Sequence, residues 1–268
     1  MTSKALNVGL LGCGHIASAL AQGWASRGPA FESPVVLWGY DIRPEASGQL
    51  AASTGLKPTS SPEELADHAD VLIVAVRPIE VPTALAAVEA HLNGHPIVSL
   101  AAGVSIASLL GRLPDGAMVG RAIPNVAVER GCGLVVWADG TLGERAAGLR
   151  ALFAPLGTVI DVAEHLFEEA TVVAACGPGF AALFIEAFEE AGVAVGLDWQ
   201  TSSELALGAV AGTVELVRHS GDTGAVRRAV STPGGMTIAG IEQLELARLR
   251  PALMAAVRAA VDRGRAKK

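Results

Sequence analysis

The sequence predicts an α/β chain of two domains, an N-terminal parallel sheet covered by helices and a C-terminal domain that is all helix. Three observations carry this. Over the first 160 or so residues, short apolar runs alternate with helix-length segments, the pattern of strands joined by helical crossovers. Beyond about residue 162 the β-like runs stop, and Ala, Leu and Glu recur at helical spacing. The length of 268 residues suits one large domain or two of ordinary size.

Taken in order, Leu6–Leu11, Val35–Tyr40, Val71–Val76, Pro96–Leu100 and Met118–Arg121 predict the successive strands, and Gly131–Trp137 with Gly157–Val162 predict closing ones. Val71–Val76 is apolar without alternation, as in a strand buried on both faces. Ile16–Ser26 predicts the first helix; Glu164–Leu207, Ala206–His219, Ile238–Leu246 and Pro251–Lys268 predict the helices of the second half. The expected division is therefore residues 1–162 and 163–268. Val172–Val195 is apolar nearly all round, and a helix of that kind is usually buried. The second domain is accordingly expected to dimerise.

Composition narrows the function. Hydrophobic residues make up 51% and charged residues 18%, which excludes disorder driven by charge. Against 20 Lys and Arg stand 27 Asp and Glu, so no basic face is expected for nucleic acid or an anionic membrane. Three cysteines give no disulfide framework and suit a reducing cytoplasm. No segment reaches the ~18–20 uncharged apolar residues of a membrane span, and Met1–Ala5 runs into a Gly-rich turn instead of a signal-peptide core. A soluble, cytoplasmic protein is expected. Glycine is the unusual component: 31 residues, well above the usual ~7%.

Gly12-Cys13-Gly14-His15-Ile16-Ala17 follows the first strand directly and opens the first helix. This is G-x-G-x-x-A in strand–turn–helix context. Gly12 permits the tight turn, Gly14 lets backbone approach a pyrophosphate, and Ala17 is small where helix packs on strand. The diphosphate then sits on the helix N-terminus, where free N–H groups favour an anion. The N-terminal domain is thus expected to be of Rossmann type and to bind NAD or NADP. At the end of the second strand Asp41 favours a ribose 2′-hydroxyl, hence NAD, whereas Arg43 favours a 2′-phosphate, hence NADP. Sequence leaves both open.

A nicotinamide cofactor without flavin or metal implies hydride transfer. The six histidines are scattered, and Gly94 and Pro96 interrupt any helix joining His91 to His95, so no metal site is expected. All four lysines, Lys4, Lys57, Lys267 and Lys268, lie outside the body of the helical domain. Alcohol oxidation generally needs a proton acceptor such as lysine. Its absence points to an imine, already protonated near neutral pH, which needs a hydride and an orienting cradle. Ser231-Thr232-Pro233-Gly234-Gly235-Met236-Thr237 supplies a candidate: consecutive glycines before a helix expose N–H groups suited to a small carboxylate. Thr237 either caps that helix or presents its hydroxyl to a substrate nitrogen.

The stretch Val230–Glu245, reading VSTPGGMTIAGIEQLE, resembles the signature of the pyrroline-5-carboxylate reductase family. The resemblance runs along the whole chain, through Gly9–Ala17, Ala75-Val76-Arg77-Pro78, Ser99–Val104, Arg121–Asn125 and Cys176-Gly177-Pro178 with Phe184–Ala187. It implies a Rossmann domain and a helical domain interleaved with that of a second subunit. It implies cofactor contacts at Gly12–Ala17, Asp41, Arg43, Ala75, Val76, Arg77, Pro78, Ala101, Ala102 and Asn125. The substrate is implied on Ser231, Thr232, Gly234, Gly235, Met236 and Thr237, with Thr237 at the ring nitrogen, and hydride passing from NAD(P)H to the imine carbon.

Departures from the family pattern bear on the substrate. Val126-Ala127 stands where Thr-Pro is usual, Cys176-Gly177-Pro178-Gly179-Phe180 where Ser-Gly-Pro-Ala-Tyr is usual, and Arg77 replaces lysine, keeping charge but not shape. Cys176 reads as a packing residue, and Glu186, an acid on an apolar helix, as a paired or interface-facing carboxylate. A pocket poorer in hydroxyls admits a second reading, reduction of a different cyclic imino acid. A third, a nucleotide-binding regulatory protein without catalysis, is opposed by the intact turn ending in Thr237.

Overall fold

Each apolar run of the N-terminal half forms a strand in the computed structural model, which describes residues 5–27, 34–92 and 94–265. Lys4, Lys267 and Lys268 fall outside that range. The strands are β1 (Leu6–Leu11), β2 (Val35–Tyr40), β3 (Lys57–Pro58), β4 (Val71–Val74), β5 (Ile97–Ser99), β6 (Val119–Pro124), β7 (Gly133–Ala138) and β8 (Gly157–Asp161). They make one sheet in the spatial order β3-β2-β1-β4-β5-β6-β7-β8. All neighbours pair in parallel except β6 with β7. Helices α1 (His15–Ser26), α2 (Pro44–Thr54), α3 (Pro62–His68), α4 (Val81–Val88), α5 (Ile106–Leu110), α6 (Ala146–Ala151) and α7 (Phe167–Thr171) connect or follow them.

The chain leaves β1 toward β2 on one side and returns to β4 on the other, so β1 and β4 are neighbours at the reversal of strand order. In open α/β sheets a crevice for ligands opens there, beyond the carboxyl ends of the strands. The missing alternation in β4 has its reason in the packing: Val71 and Ile73 enter one apolar cluster with Leu10, Leu20 and Trp137, while Leu72 and Val74 enter another with Leu11, Leu65 and Leu85. β4 ends at Val74, short of the expected Val76, because Pro78 starts a helical turn, Pro78–Glu80, bracketed by Arg77 and Glu80. β3, only two residues, was beyond the reach of any periodicity; it pairs Lys57 with Trp38.

Contacts divide the chain into two compact units, residues 1–175 with 261–268, and residues 176–260. The second holds α8 (Gly177–Ala194), α9 (Trp199–Ser220), α10 (Thr223–Ala229), α11 (Met236–Leu246) and most of α12 (Leu249–Arg265). The stretch Glu164–Leu207, read only as helical in spacing, is divided at residues 195–198. Gly196 takes φ +102° there, and Asp198 caps α9 by accepting from the Thr201 N–H at 3.0 Å. α10, unexpected from periodicity, starts at Asp222, which accepts from the Gly224 N–H at 2.7 Å.

Among the described residues of 176–260 only Ser202 and Ala206 are buried. Leu183, Phe184, Phe188, Leu205, Leu216 and Leu253 are all exposed. A helical unit with almost no interior of its own leaves its apolar faces for another surface. The helical run Glu164–Ala194 is, by length and composition, apolar enough to cross a membrane, with a mean hydropathy of 1.7 in its best window. The sequence criterion missed it because Glu169 and Glu186 bound the uncharged stretch.

Candidate functional site

The Gly-rich turn lies at the reversal point of the sheet. Gly12 has φ +99°, and a Cβ built on it meets the Ala75 carbonyl oxygen at 2.9 Å; glycine is required on both counts. Its N–H donates to Tyr40 O at 2.8 Å, and Ala75 N–H donates to Leu11 O at 2.8 Å, so the ends of β1, β2 and β4 are tied together. Gly14 heads α1 in extended conformation with no side-chain cap, and a Cβ there meets nothing within 4 Å. Bare N–H groups at a helix start beside open space fit a pyrophosphate. Ala17 is fully buried, Ile16 half-buried and His15 exposed.

Cys13 is buried, and burial first, then the Asp41 charge, pushes its thiol up to about 12. It packs within 3.1 Å of where a Gly39 side chain would begin and has no thiolate for chemistry. Its backbone N–H donates to Asp41 Oδ2 at 2.9 Å. Asp41 Oδ1 accepts from the Arg43 N–H at 2.9 Å and lies 3.5 Å from Arg43 Nε. The conflicting signals of the sequence thus belong to one paired arrangement. A cavity of ≈ 540 Å³ runs between α1 and α2, lined by His15, Ser18, Gln22, Arg43, Glu45 and Gln49 among others.

Arg77 and Pro78 follow β4 on the same edge of the sheet. Arg77 Nε donates to Glu80 Oε1 at 3.0 Å and its backbone N–H to Oε2 at 3.1 Å. The Arg77 hydrogen bond holds the Glu80 carboxyl below the usual range, with the charges of Arg77 and Arg43 adding to it. Ile42 and Ile79, next to these charged residues, are exposed despite their size. Sequence reasoning passed over both; for Ile42 the available signal was an apolar residue directly after the strand-end Asp41.

Ala101 and Ala102 follow β5, and Asn125 follows β6, all on that edge. Ala101 is buried and Ala102 exposed. The Asn125 amide is engaged by the chain on both sides: one Nδ2 proton is donated to Ala174 O at 3.2 Å, and Oδ1 accepts from Ala127 and Leu134 N–H, each at 3.2 Å. It fixes the turn carrying the exposed Val126.

In the second unit, residues 231–235 form the turn between α10 and α11, and Met236 and Thr237 open α11. Gly234 takes φ +67°, and Gly235 is the N-cap of α11, its N–H donating to Thr232 O at 3.0 Å. A Cβ on Gly235 would run into the Thr232 hydroxyl. Because Gly235 caps α11 with no side chain, Thr237 is not the cap; it stands in the first helical turn, exposed. The N–H groups of Met236, Thr237 and Ile238 begin the helix without intrahelical acceptors. A cavity of ≈ 660 Å³ opens beside this turn, lined by Arg227, Ser231, Gly234, Gly235, Ile238 and Glu242 among others. Arg227 was not expected; its position one helical turn before Ser231, in the last turn of α10, was the legible sign. Ser231 Oγ donates to Arg227 O at 2.7 Å.

Comparison with known proteins gives these turns a family. Residues 164–267 match the family model for pyrroline-5-carboxylate reductase dimerisation, and residues 7–103 match that for NADP oxidoreductase, coenzyme F420-dependent. The pyrroline-5-carboxylate reductase of Synechocystis is 33% identical over 96% of this chain and 97% of its own. The chain belongs to the pyrroline-5-carboxylate reductase family. The Thermus thermophilus reductase is likewise 33% identical, over 97% of both chains. Among solved structures, Plasmodium falciparum pyrroline carboxylate reductase with NADP bound superposes with a TM-score of 0.87 at 27% identity, covering 97% of each chain. The Streptococcus pyogenes enzyme gives 0.87 at 26%, covering 98% and 100%. The family accounts for a nicotinamide cofactor, an oxidoreductase activity and an oligomer built on the helical region. Gly12, Gly14 and the uncapped start of α1 fit such a cofactor sterically and electrostatically. Among the described residues no group of three His, Cys, Asp or Glu gathers to hold a metal ion.

Proposed function

We propose that this protein reduces 1-pyrroline-5-carboxylate to proline with NAD(P)H. The observation that carries the reading is the Ser231–Thr237 turn, a bare helix start beside a cavity in a chain of this family. When bound, the reduced nicotinamide supplies a hydride to the imine carbon. The substrate carboxylate rests on the N–H groups of residues 236–238, with Arg227 adding positive charge. Thr237 hydrogen-bonds the ring nitrogen and so orients the C=N bond. The imine enters protonated, and hydride addition leaves a neutral secondary amine, so no proton is asked of the protein. That agrees with the absence of lysine from residues 58–266.

In this reading residues 1–162 bind the dinucleotide, through Gly12–Ala17, Asp41, Arg43, Ala75–Pro78, Ala101, Ala102 and Asn125. Residues 163–268 bind substrate, through Ser231, Thr232 and Gly234–Thr237, and pair with a second copy as a homodimer. The exposed apolar faces of α8 and α9 support that pairing. The acidic charge balance and free cysteines support action in a reducing cytoplasm, away from nucleic acid and anionic membranes.

A second reading, reduction of another cyclic imino acid, is favoured by one observation: Val126 presents an exposed apolar side chain where the family pattern has a hydroxyl. One experiment separates the two. Oxidation of NADH and of NADPH is followed with 1-pyrroline-5-carboxylate, substituted pyrrolines and a six-membered cyclic imine. The highest kcat/KM is expected for 1-pyrroline-5-carboxylate. Faster turnover of a substituted or larger ring replaces the first reading by the second, and no turnover of any imine removes both.

A further inference from the structure

The charges that follow β2 and β4 bear on which nicotinamide cofactor the site takes. Asp41 is only 10% exposed, whereas Arg43 is 70% exposed, so the carboxylate is the fixed element and the guanidinium the adaptable one. A carboxylate offers about four lone-pair positions. The N–H groups of Cys13 and Arg43 take two of them, one on each oxygen. Two remain, the number that a ribose 2′,3′-diol fills with its hydroxyl protons. A 2′-phosphate has no such protons to give at neutral pH and brings negative charge instead.

The surroundings do not compensate that charge. Arg77 is held by Glu80 through its side chain and backbone, and Arg43 Nε lies 3.5 Å from Asp41 Oδ1. The start of α2, which would otherwise attract an anion, already carries Glu45 in its first turn. Each arginine thus has its own carboxylate, Arg43 with Asp41 and Arg77 with Glu80.

The geometry points to NADH as the favoured cofactor of this chain, with Asp41 as the specificity-determining residue that accepts the ribose diol and repels a 2′-phosphate. The inference rests on the nucleotide-binding reading given above and goes beyond it, since the family match leaves NADH and NADPH open. The nearby Arg43 does not reverse it, because a guanidinium already paired with the fixed carboxylate meets a phosphate only by leaving that carboxylate unpaired beneath it.

The test is direct binding, without substrate or turnover. NADH and NADPH are titrated into the purified full-length protein, following nucleotide fluorescence, and ADP-ribose and its 2′-phosphate are used as competitors that lack the nicotinamide. NADH is expected to bind at least about tenfold more tightly, because a 2′-phosphate would meet a like charge fixed in the site. Asp41→Asn keeps a carbonyl acceptor for the Cys13 N–H and removes the charge. It is expected to bring the two affinities together, chiefly by tightening NADPH. NADPH binding as tightly as NADH to the unaltered protein overturns the inference, as does an affinity ratio unchanged in Asp41→Asn. Failure of both nucleotides to bind strikes the cofactor assignment itself, a different result from either.

Discussion

Arg121 and Glu168, 47 residues apart in sequence, form a partly buried ion pair, with Arg121 Nη2 donating to Glu168 Oε1 at 2.8 Å. Arg121 Nη1 also donates to Glu164 Oε1 at 3.1 Å, and the guanidinium lies over the Phe167 ring at 4.1 Å. The same two carboxylates hold the loop after β5: Glu168 Oε2 accepts from the Gly103 N–H at 3.1 Å, and Glu164 Oε1 from the Ile106 N–H at 3.0 Å. One cluster thus joins β6, α7 and the loop carrying Ala101 and Ala102. Arg121 is 1% exposed, while Glu164 and Glu168 are 36% and 23% exposed. The arginine is the member that water cannot rescue. The double change Glu164→Gln, Glu168→Gln strands a buried cation and is expected to cost about 3–5 kcal/mol. Arg121→Met leaves two partly exposed carboxylates that keep the Gly103 and Ile106 N–H bonds and is expected to cost less. Urea unfolding of both variants checks the order, and a larger loss for Arg121→Met contradicts it.

Gly12 and Gly14, two residues apart, are expected to respond in opposite ways to substitution. Gly12→Ala forces a side chain into a positive-φ position against the Ala75 carbonyl and is expected to cost roughly 1–3 kcal/mol of stability. Gly14→Val meets open space at φ −74° and is expected to leave the unfolding midpoint nearly unchanged. It fills the room for the pyrophosphate and should weaken cofactor binding by at least about tenfold, or about 1.4 kcal/mol. Thermal unfolding beside nucleotide titration separates the two; cofactor affinity retained in Gly14→Val removes the turn from the site.

These contrasts show what the sequence can carry. The Gly12 turn and the helix start at Gly14 were legible because strand, turn and helix are contiguous and the turn is set by backbone geometry. β4 was legible because burial on both faces leaves four consecutive apolar residues. The Arg121 cluster was not, since nothing local marks an arginine in a strand for burial against acids on a helix far along the chain. The pairing of Asp41 with Arg43 was hidden for another reason: it depends on the direction in which each side chain points, which two residues two apart in sequence do not specify. Thr237 as a helix cap failed by two residues, because Gly235 already takes the cap position with its backbone.

Thr237→Ala is expected to lower kcat/KM by one to two orders of magnitude, about 1.4–2.7 kcal/mol of transition-state stabilisation. Thr237 is exposed at the start of α11, so the unfolding midpoint should hold while turnover falls. Thr237→Ser, which keeps the hydroxyl, should restore most of the activity. Unchanged kinetics in the alanine variant would place the substrate elsewhere.

Cys13 gives a stability component with a definite sign. Its thiol is raised from 9.0 to about 12 in the folded chain, so folding favours the protonated form. The contribution is fully present below pH 9.0. Above it the unfolded chain releases a proton that the folded chain keeps, and stability falls by about 1.4 kcal/mol per pH unit until the folded thiol also ionises. Between about pH 8 and about pH 10, unaltered protein should therefore lose on the order of 1 kcal/mol more than Cys13→Ala. Urea unfolding at both pH values measures the difference, and equal losses would mean that the thiol ionises in place.

Phe184 and Phe188, one turn apart on α8, place their rings 6.2 Å from each other on a face that the chain itself leaves exposed. With Ser202 and Ala206 the only buried residues described in that unit, its helices need a second surface, and the family match over residues 164–267 makes a second copy the expected one. Phe188→Glu puts a charge into that apolar contact, where its burial without a partner costs several kcal/mol. The expected outcome is a shift from dimer to monomer in sedimentation, with activity lost alongside. Glu144→Lys, an exposed change on the sheet unit, should leave the mass unchanged. A Phe188→Glu protein that still sediments as the unaltered one would show that α8 is covered by something other than its own copy.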